Sequence, residues 1–420
     1  MTINDVNLKH HIKNKFERGK IVKQVKKQLK LKKELSQHLK YEKLTQPATT
    51  GFIETTLPYE TTLEVTQNEI KKHLSNTKSK LAKEIPIKDN AYLDITRDGK
   101  HLLSVRKTGK CIITEFSETA DAISNFSTYE TVYDAKFCYN FQRLALANKN
   151  YVKLYDEKGA LTNTLSDHKY VTKLTYLPNH FLLVSASFEN KLLSWYDIST
   201  GENITTHALK KFNRTCLTHN PYNGVVITGH DDSSVRLWTP SLDSSAVSFI
   251  ADKNVPICDI QAYNDHYLIV ANASQKVQIF DIRNAIKPLK IINLTSHGES
   301  KISVSQNNLV SISQGPVVNV WKDLLLDSSV REKKYLHHRF RDGSIINSTV
   351  FQPFEDILFV STQNYISPLL VPGSGYAEIN YSSDNPFMTN KQRRKQLTRD
   401  LLDKLPAATI MLDPTKFSYV

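Results

Sequence analysis

His168, His219 and His230 are expected to fall in successive repeats of this chain, and imidazoles are the first groups to test for chemistry. A zinc site needs clustered His or Cys at short spacing. These three are dispersed, and no C-x-x-C or Cys/His ligand pattern occurs. Asp231 and Asp232 form a carboxylate pair, but they sit in a polar turn, where Asp is selected because its side chain bonds the local backbone. No G-x-x-x-x-G-K-[ST] phosphate loop and no G-x-S-x-G elbow is present. No catalytic constellation, cofactor site, metal site or small-molecule site is legible, and an enzyme is not expected. The chemistry the chain does offer is charge. Lys23, Lys26, Lys27, Lys30, Lys32 and Lys33 are candidates to pair with nucleic-acid phosphates, a contact that is salt-sensitive and largely independent of base sequence.

Those lysines need an element to present them. The stretch 14–43 lacks Pro and holds one Gly, and its aliphatic residues recur at helical spacing, so it reads as a helix. The chain has 420 residues and a net charge of +13, and the charge is concentrated. The first 43 residues carry 13 Lys and Arg against four acidic residues. Such an arm suits an acidic partner, or is a solvated basic face that serves as a nuclear address. Cys111, Cys138, Cys216 and Cys258 lie in or beside different strand candidates and read as reduced core thiols. No apolar run approaches the length of a membrane span, and no secretory leader is expected.

Between these flanks the chain repeats itself. Aromatic residues close equivalent strands at Phe116, Tyr155, Tyr196, Trp238, Phe280 and Trp321, with Leu370 in a seventh, at intervals of 39, 41, 42, 42, 41 and 49 residues. This is the period of a WD-type four-stranded blade. Asp follows the aromatic at Asp156, Asp197 and Asp281. The expected fold is all-β: a seven-bladed WD-repeat β-propeller with basic helical N-terminal and C-terminal extensions. Residues 1–84 would be arm and linker, 85–375 the propeller and 376–420 the extension. The ring must close, so a strand near Ile85 to Lys88 should complete the last blade. The aromatics read as blade core. Gly is scarce, 13 in 420, so Asn, Asp and Ser should carry many turns.

Thr66 and Glu69 have capping-box spacing and predict a helix running to about Lys83. The one long interval carries an insertion, Leu324 to Asp342, rich in Lys, Arg and His; it reads as a basic excursion or a filler loop. Beyond the last blade, Asn385-Pro386-Phe387 starts a turn. Thr389 and Gln392 again have capping-box spacing, so a helix should span Asn390 to Lys404 and stop before Pro406. Lys391, Arg393, Arg394, Lys395 and Arg399 make it basic, and Leu397, Leu401, Leu402 and Leu405 make an apolar face. A helix of this length is marginal alone. It must dock, either on its own propeller or on a neighbour in an assembly. Asn385, Pro386, Phe387, Lys391, Gln392, Arg393, Arg394, Leu401 and Leu402 are the candidate assembly contacts.

The segments VPGSG, NPF, KQRR and LLDKLPAATIMLDP, in that order, resemble the C-terminal signature of one family of WD-repeat proteins of the U3 small nucleolar ribonucleoprotein, components of the small-subunit processome. TGFIE (Thr50 to Glu54), LPNHFLLVSAS, NPYNGVVITGHDDSSVRLWTPS, IFDIRN and FQPFEDIL are similar too. The resemblance runs from Gly51 to Pro414; larger members carry a longer basic tail. It implies a nucleolar, non-catalytic scaffold needed for 18S ribosomal RNA processing and early small-subunit assembly. Its implied partners are precursor ribosomal RNA, the U3 small nucleolar RNA particle and other processome proteins, WD-repeat proteins among them. The competing class is a cytoplasmic WD-repeat adaptor, such as a ubiquitin-ligase substrate receptor.

Overall fold

The computed structural model describes residues 16, 19, 23, 26, 27, 30, 51–53, 55, 61–72, 84–87, 89–116, 120–187, 189–209, 215–296, 298–325, 334–376 and 388–412. The chain divides into two compact units, Met1–Thr49 and Thr50–Val420. In the first, Phe16, Gly19, Lys23, Lys26, Lys27 and Lys30 are helical and exposed. Their spacing of three, four and seven residues puts the four lysines on one helical face.

In the second unit the described strands form seven four-stranded antiparallel sheets. Each of the first six uses four consecutive strands; blade 1, for example, is Ala91–Ile95, His101–Arg106, Lys110–Phe116 and Ala120–Ser127. The seventh takes Ile346–Phe351, Ile357–Thr362 and Tyr365–Leu370, and is completed by Ile85–Pro86 from the other end of the ring. The closing strand lies where the ring argument placed it.

Every residue that ends a repeat is buried: Phe116, Tyr155, Tyr196, Trp238, Phe280, Trp321 and Leu370. Each packs in a cluster that spans neighbouring blades, as Trp238 does with Leu177, Ile257 and Phe280. One blade cannot cover both of its faces, so stacking around the ring supplies the burial.

Polar bonds staple the ring between blades. Asp94 accepts the Phe137 N–H at 2.7 Å and pairs with Lys136 at 2.7 Å. Asp134 accepts from Leu174 N–H at 2.9 Å, and Asp259 from Ile302 N–H at 2.8 Å. His219 Nδ1 meets Thr175 Oγ1 at 2.7 Å, and Thr218 donates to Gln261 at 3.2 Å. Each bond satisfies a buried group that would otherwise be orphaned.

The histidines belong to this internal bonding, and they do not fall in successive blades: His219 ends Thr215–His219 and His230 ends Val226–His230, adjacent strands of blade 4. Trp238 Nε1, which can only donate, gives its hydrogen to Thr228 Oγ1 at 2.8 Å, and that hydroxyl also meets His230 Nε2 at 3.0 Å and donates to Arg236 O at 3.5 Å. His168 Nδ1 lies 2.6 Å from Ser185 Oγ. Among the described residues no group of three His, Cys, Asp or Glu side chains could hold a metal. The cysteines are free thiols, with Cys111 and Cys138 buried. No described helix is long and apolar enough to cross a membrane.

Turn chemistry goes beyond the expected residue types. Ser233, Asn254, Asn264, Asn308 and Asp323 take positive φ, but so do Tyr139 and Phe181, whose rings stack at 5.0 Å. Packing offsets the strain there.

One flanking expectation is revised, and another is met as far as the chain is described. Lys334–Arg339 is the outer strand of blade 6, in register with Val317–Trp321, so this part of the insertion is blade and not excursion. A blade needs its fourth strand, and that need outweighs the local charge; residues 326–333 lie outside the described residues. The helix at Thr66 is described as α1, Gln67–Lys72, and residues 73–83 lie outside the described residues. Its cap bond, Thr66 N–H to Glu69 Oε2 at 2.7 Å, is as anticipated.

α1 also repairs the closing blade. Ile85–Pro86 covers only Ile366 and Tyr365. Further along that edge the buried Gln67 amide takes the place of a strand: its Nε2 donates to Leu370 O at 2.9 Å, and its Oε1 accepts from Leu370 N–H at 2.9 Å. Gln67→Ala leaves both backbone groups without a partner. It should cost about 2 kcal/mol of unfolding free energy, read from urea denaturation.

A second prediction concerns pH. Burial holds the imidazoles of His168, His219 and His230 down at about 4, against about 6.5 in an unfolded chain. Between these values the unfolded state binds more protons. Stability should therefore be complete above 6.5 and fall through that window by roughly 1.4 kcal/mol per pH unit per histidine. Urea midpoints from pH 7 to 4.5 check this, and a His230→Gln variant should give a shallower slope.

Candidate assembly surface

The chain leaves blade 7 through Val371 to Tyr376, and its glycines are required by contact. A Cβ on Gly373, at φ +85, would sit 2.5 Å from Gly51 O, and one on Gly375 would sit 2.8 Å from the Glu355 backbone. Tyr335 Oη ties the two segments together, accepting from Ile53 N–H at 3.0 Å and donating to Pro372 O at 2.8 Å. Asn307 Nδ2 donates to the carbonyls of Gly373 and Gly375. Gly51 to Ile53 and the VPGSG motif, which opens 320 residues after Gly51, are two halves of one junction.

Asn385, Pro386 and Phe387 lie outside the described residues. The chain is described again from Met388. Thr389 caps α2, Asn390–Leu402, and both capping-box bonds form: Gln392 N–H to Thr389 Oγ1, and Thr389 N–H to Gln392 Oε1. The helix ends two residues before the expected Lys404.

α2 docks on its own propeller, through a polar face. The Arg393 guanidinium lies over the Phe141 ring, 5.2 Å from its centroid. Tyr139 Oη donates to the Asp400 carboxylate, which also accepts from Gln396 Nε2 at 2.7 Å. The expected apolar face is divided: Leu397 and Leu405 are half-buried, whereas Leu401 is 41% and Leu402 81% exposed, and no α2 residue is fully buried. Phe141 and Tyr139 offer an aromatic face and a hydroxyl, and a guanidinium and a carboxylate match these better than leucine does. Lys391, Arg394, Lys395 and Arg399 are exposed with the two leucines.

The segment after α2 is held more tightly. Lys404 Nζ pairs with Asp197, the Asp of a degenerate WD pair, and donates to Ser199 Oγ at 2.8 Å. Burial raises the Asp197 pKa, but the hydrogen bonds from Lys404 and Ser199 outweigh it and hold the carboxyl below its usual value. Leu405 N–H donates to Asn179 O at 3.1 Å, and His180 Nε2 meets Thr409 Oγ1 at 3.1 Å. Ile410 is 1% exposed and joins the core of blades 3 and 4 beside Gly224. Residues 388–412 thus strap the loops of blades 1 to 4 on one face of the ring.

Lys23, Lys26, Lys27 and Lys30 are gathered on one helical face, whereas Lys32 and Lys33 lie outside the described residues. Sequence reasoning missed the receptor residues Tyr139, Phe141, Asp197 and His180. Only the Asp197 repeat signal was legible, and it reported blade position.

Residues 334–413 match the model of the BING4CT (NUC141) domain, and 203–239 match a WD domain, G-beta repeat. The first span opens on the outer strand of blade 6 and closes at the end of the strap. Over 390 residues the chain is 32% identical to U3 small nucleolar RNA-associated protein 7 of Saccharomyces cerevisiae, covering 89% of this chain and 70% of the yeast protein. The chain belongs to the U3 small nucleolar RNA-associated protein 7 family. WD repeat-containing protein 46 of Homo sapiens is 29% identical over 329 residues, 78% of this chain and 53% of the human protein. Its Caenorhabditis elegans counterpart is 28% identical over 333 residues, 78% and 55% respectively. The chain thus spans about half the length of the WD repeat-containing protein 46 relatives. Among solved structures, the C-terminal WD40 domain of Sif2 superposes with a TM-score of 0.56 at 15% identity, over 69% of this chain and 98% of that domain. That likeness concerns the fold.

The strap geometry of the family domain predicts that Lys404→Met detaches the segment after α2. The methionine keeps the length but not the charge, and it leaves Asp197 with its Ser199 bonds but without its cation. Hydrogen exchange of residues 403–411 should accelerate about tenfold, with blade amides unchanged.

Proposed function

We propose that this protein is a non-catalytic scaffold of early small ribosomal subunit assembly, acting in the nucleolus within the U3 small nucleolar ribonucleoprotein. The observation that carries the reading is the strap. It spends its polar face on the propeller and leaves Lys391, Arg394, Lys395, Arg399, Leu401 and Leu402 outward. Cations beside two leucines suit a ribonucleoprotein surface, where an acidic or RNA neighbour meets an apolar one. Membership of a family with a U3-associated relative supplies the context.

In this reading the propeller is a rigid platform, and α2 is the key that seats it among processome proteins. The N-terminal arm contacts precursor ribosomal RNA through Lys23, Lys26, Lys27, Lys30, Lys32 and Lys33. Asn385, Pro386 and Phe387 extend the α2 contact. Loss of the protein then impairs 18S ribosomal RNA processing by misplacing partners, with no bond made or broken here.

The test is a Leu401→Ser, Leu402→Ser, Arg394→Ser triple variant. All three side chains are exposed, so the urea midpoint should match the parent. Co-sedimentation with precursor particles should fall at least fivefold. A folded variant that still enters the particle at parental levels removes α2 from the assembly contact.

A further inference from the structure

A cleft of about 570 Å³ lies at the rim of the ring, between the outer strand of blade 6, α1 and the last strand of blade 7. It exists because the closing strand is short. Ile85–Pro86 pairs with only two residues of Tyr365–Leu370, so Ser367 and Leu369 face the gap. On the opposite wall stand His337, His338, Arg339 and Arg341, and Lys71 enters from α1.

The cleft carries both signs of charge, with Asp342 directly after Arg341 in the chain. Asp342 and Glu84 also line the cleft, and both act on the Tyr365 hydroxyl, whose pKa is raised by burial first and by these carboxylates in addition. The cations on the facing wall act on each other. Burial lowers the pKa of His337, and Lys334 and Arg339 lower it further; burial lowers that of His338, and His337 and Lys71 add to it. Neither arginine forms an ion pair with a described carboxylate. Both guanidinium groups are exposed at the cleft mouth.

Flat surfaces accompany the charge. His337 Nδ1 meets Asn319 Oδ1 at 2.7 Å, which fixes the ring of an exposed residue. His338 packs edge-on against Phe340, and Phe340 against Tyr365. Guanidinium forks match phosphate oxygens in pairs, and ring faces accept unstacked bases.

We propose that this rim cleft binds single-stranded RNA, with Arg339, Arg341 and Lys71 on the phosphates and the His337 ring against a base. It lies apart from the residues that seat the strap on blades 1 to 4, so both contacts can be made together. The inference rests on the RNA-associated reading above and adds a second RNA contact on the propeller itself.

The experiment compares the full chain with an Arg339→Ser, Arg341→Ser variant and with a Lys158→Ser, Lys287→Ser variant of equal charge loss on other blades. The probe is a short fluorescent oligouridylate, titrated at several salt concentrations. The cleft variant should bind about tenfold more weakly, and its log–log salt slope should shrink by about 1.4. The control pair should stay within twofold of the parent. Equal binding by the parent and the cleft variant overturns the cleft while leaving the arm's RNA contact standing. No binding by the parent overturns both. Loss of binding to a polyglutamate peptide but not to the oligonucleotide assigns the cleft to an acidic protein and also overturns the proposal.

Discussion

Ring closure is the constraint on which this architecture depends. Each blade has two apolar faces, and only a neighbour on each side covers both. The last junction is made by joining Ile85–Pro86 to Tyr365–Leu370, from opposite ends of the propeller. Two residues make a short strand, so the blade recruits the Gln67 amide, which presents one donor and one acceptor to Leu370 as a strand would. Pro368 has no N–H to satisfy on the same strand, which lightens the demand. Closure, the Asp94, Asp134 and Asp259 staples and the shared aromatic clusters make the loops of successive blades a rigid surface.

The C-terminal strap uses that rigidity. α2 has 13 residues, too few to hold its shape alone, and it buries none of its side chains. Its stability comes from fixed partners: Phe141 beneath Arg393, Tyr139 on Asp400, and then Lys404 on Asp197 and Ile410 in the core. Docking by the polar face leaves leucines and cations outward. An apolar face turned inward would have left a surface with charge alone.

The blade count, the closing strand and the capped start of α2 were legible because each is a local or periodic signal. A buried aromatic every 39 to 42 residues marks a strand whatever surrounds it. Thr389 and Gln392 meet within one turn of helix. The outer strand of blade 6 was missed because Lys334, His337, His338 and Arg339 look like a loop when read alone. It is a strand because Val317–Trp321 needs a partner. The inward face of α2 was missed for the same kind of reason. Leucines predict burial only where an apolar surface awaits them, and blades 1 and 2 present aromatic and polar groups instead.

The sequence by itself determined a seven-fold repeat, a concentrated basic arm and a capped basic helix near the end, because these depend on residue type and spacing over a few turns or one period. Tertiary structure alone decided which groups meet: Gly51 with Gly373, Gln67 with Leu370, Lys404 with Asp197, and the arginines of blade 6 beside the edge of blade 7. The first three of those contacts join residues hundreds of positions apart, and their energies come from burial and from satisfied polar groups, which exist only once the ring is closed.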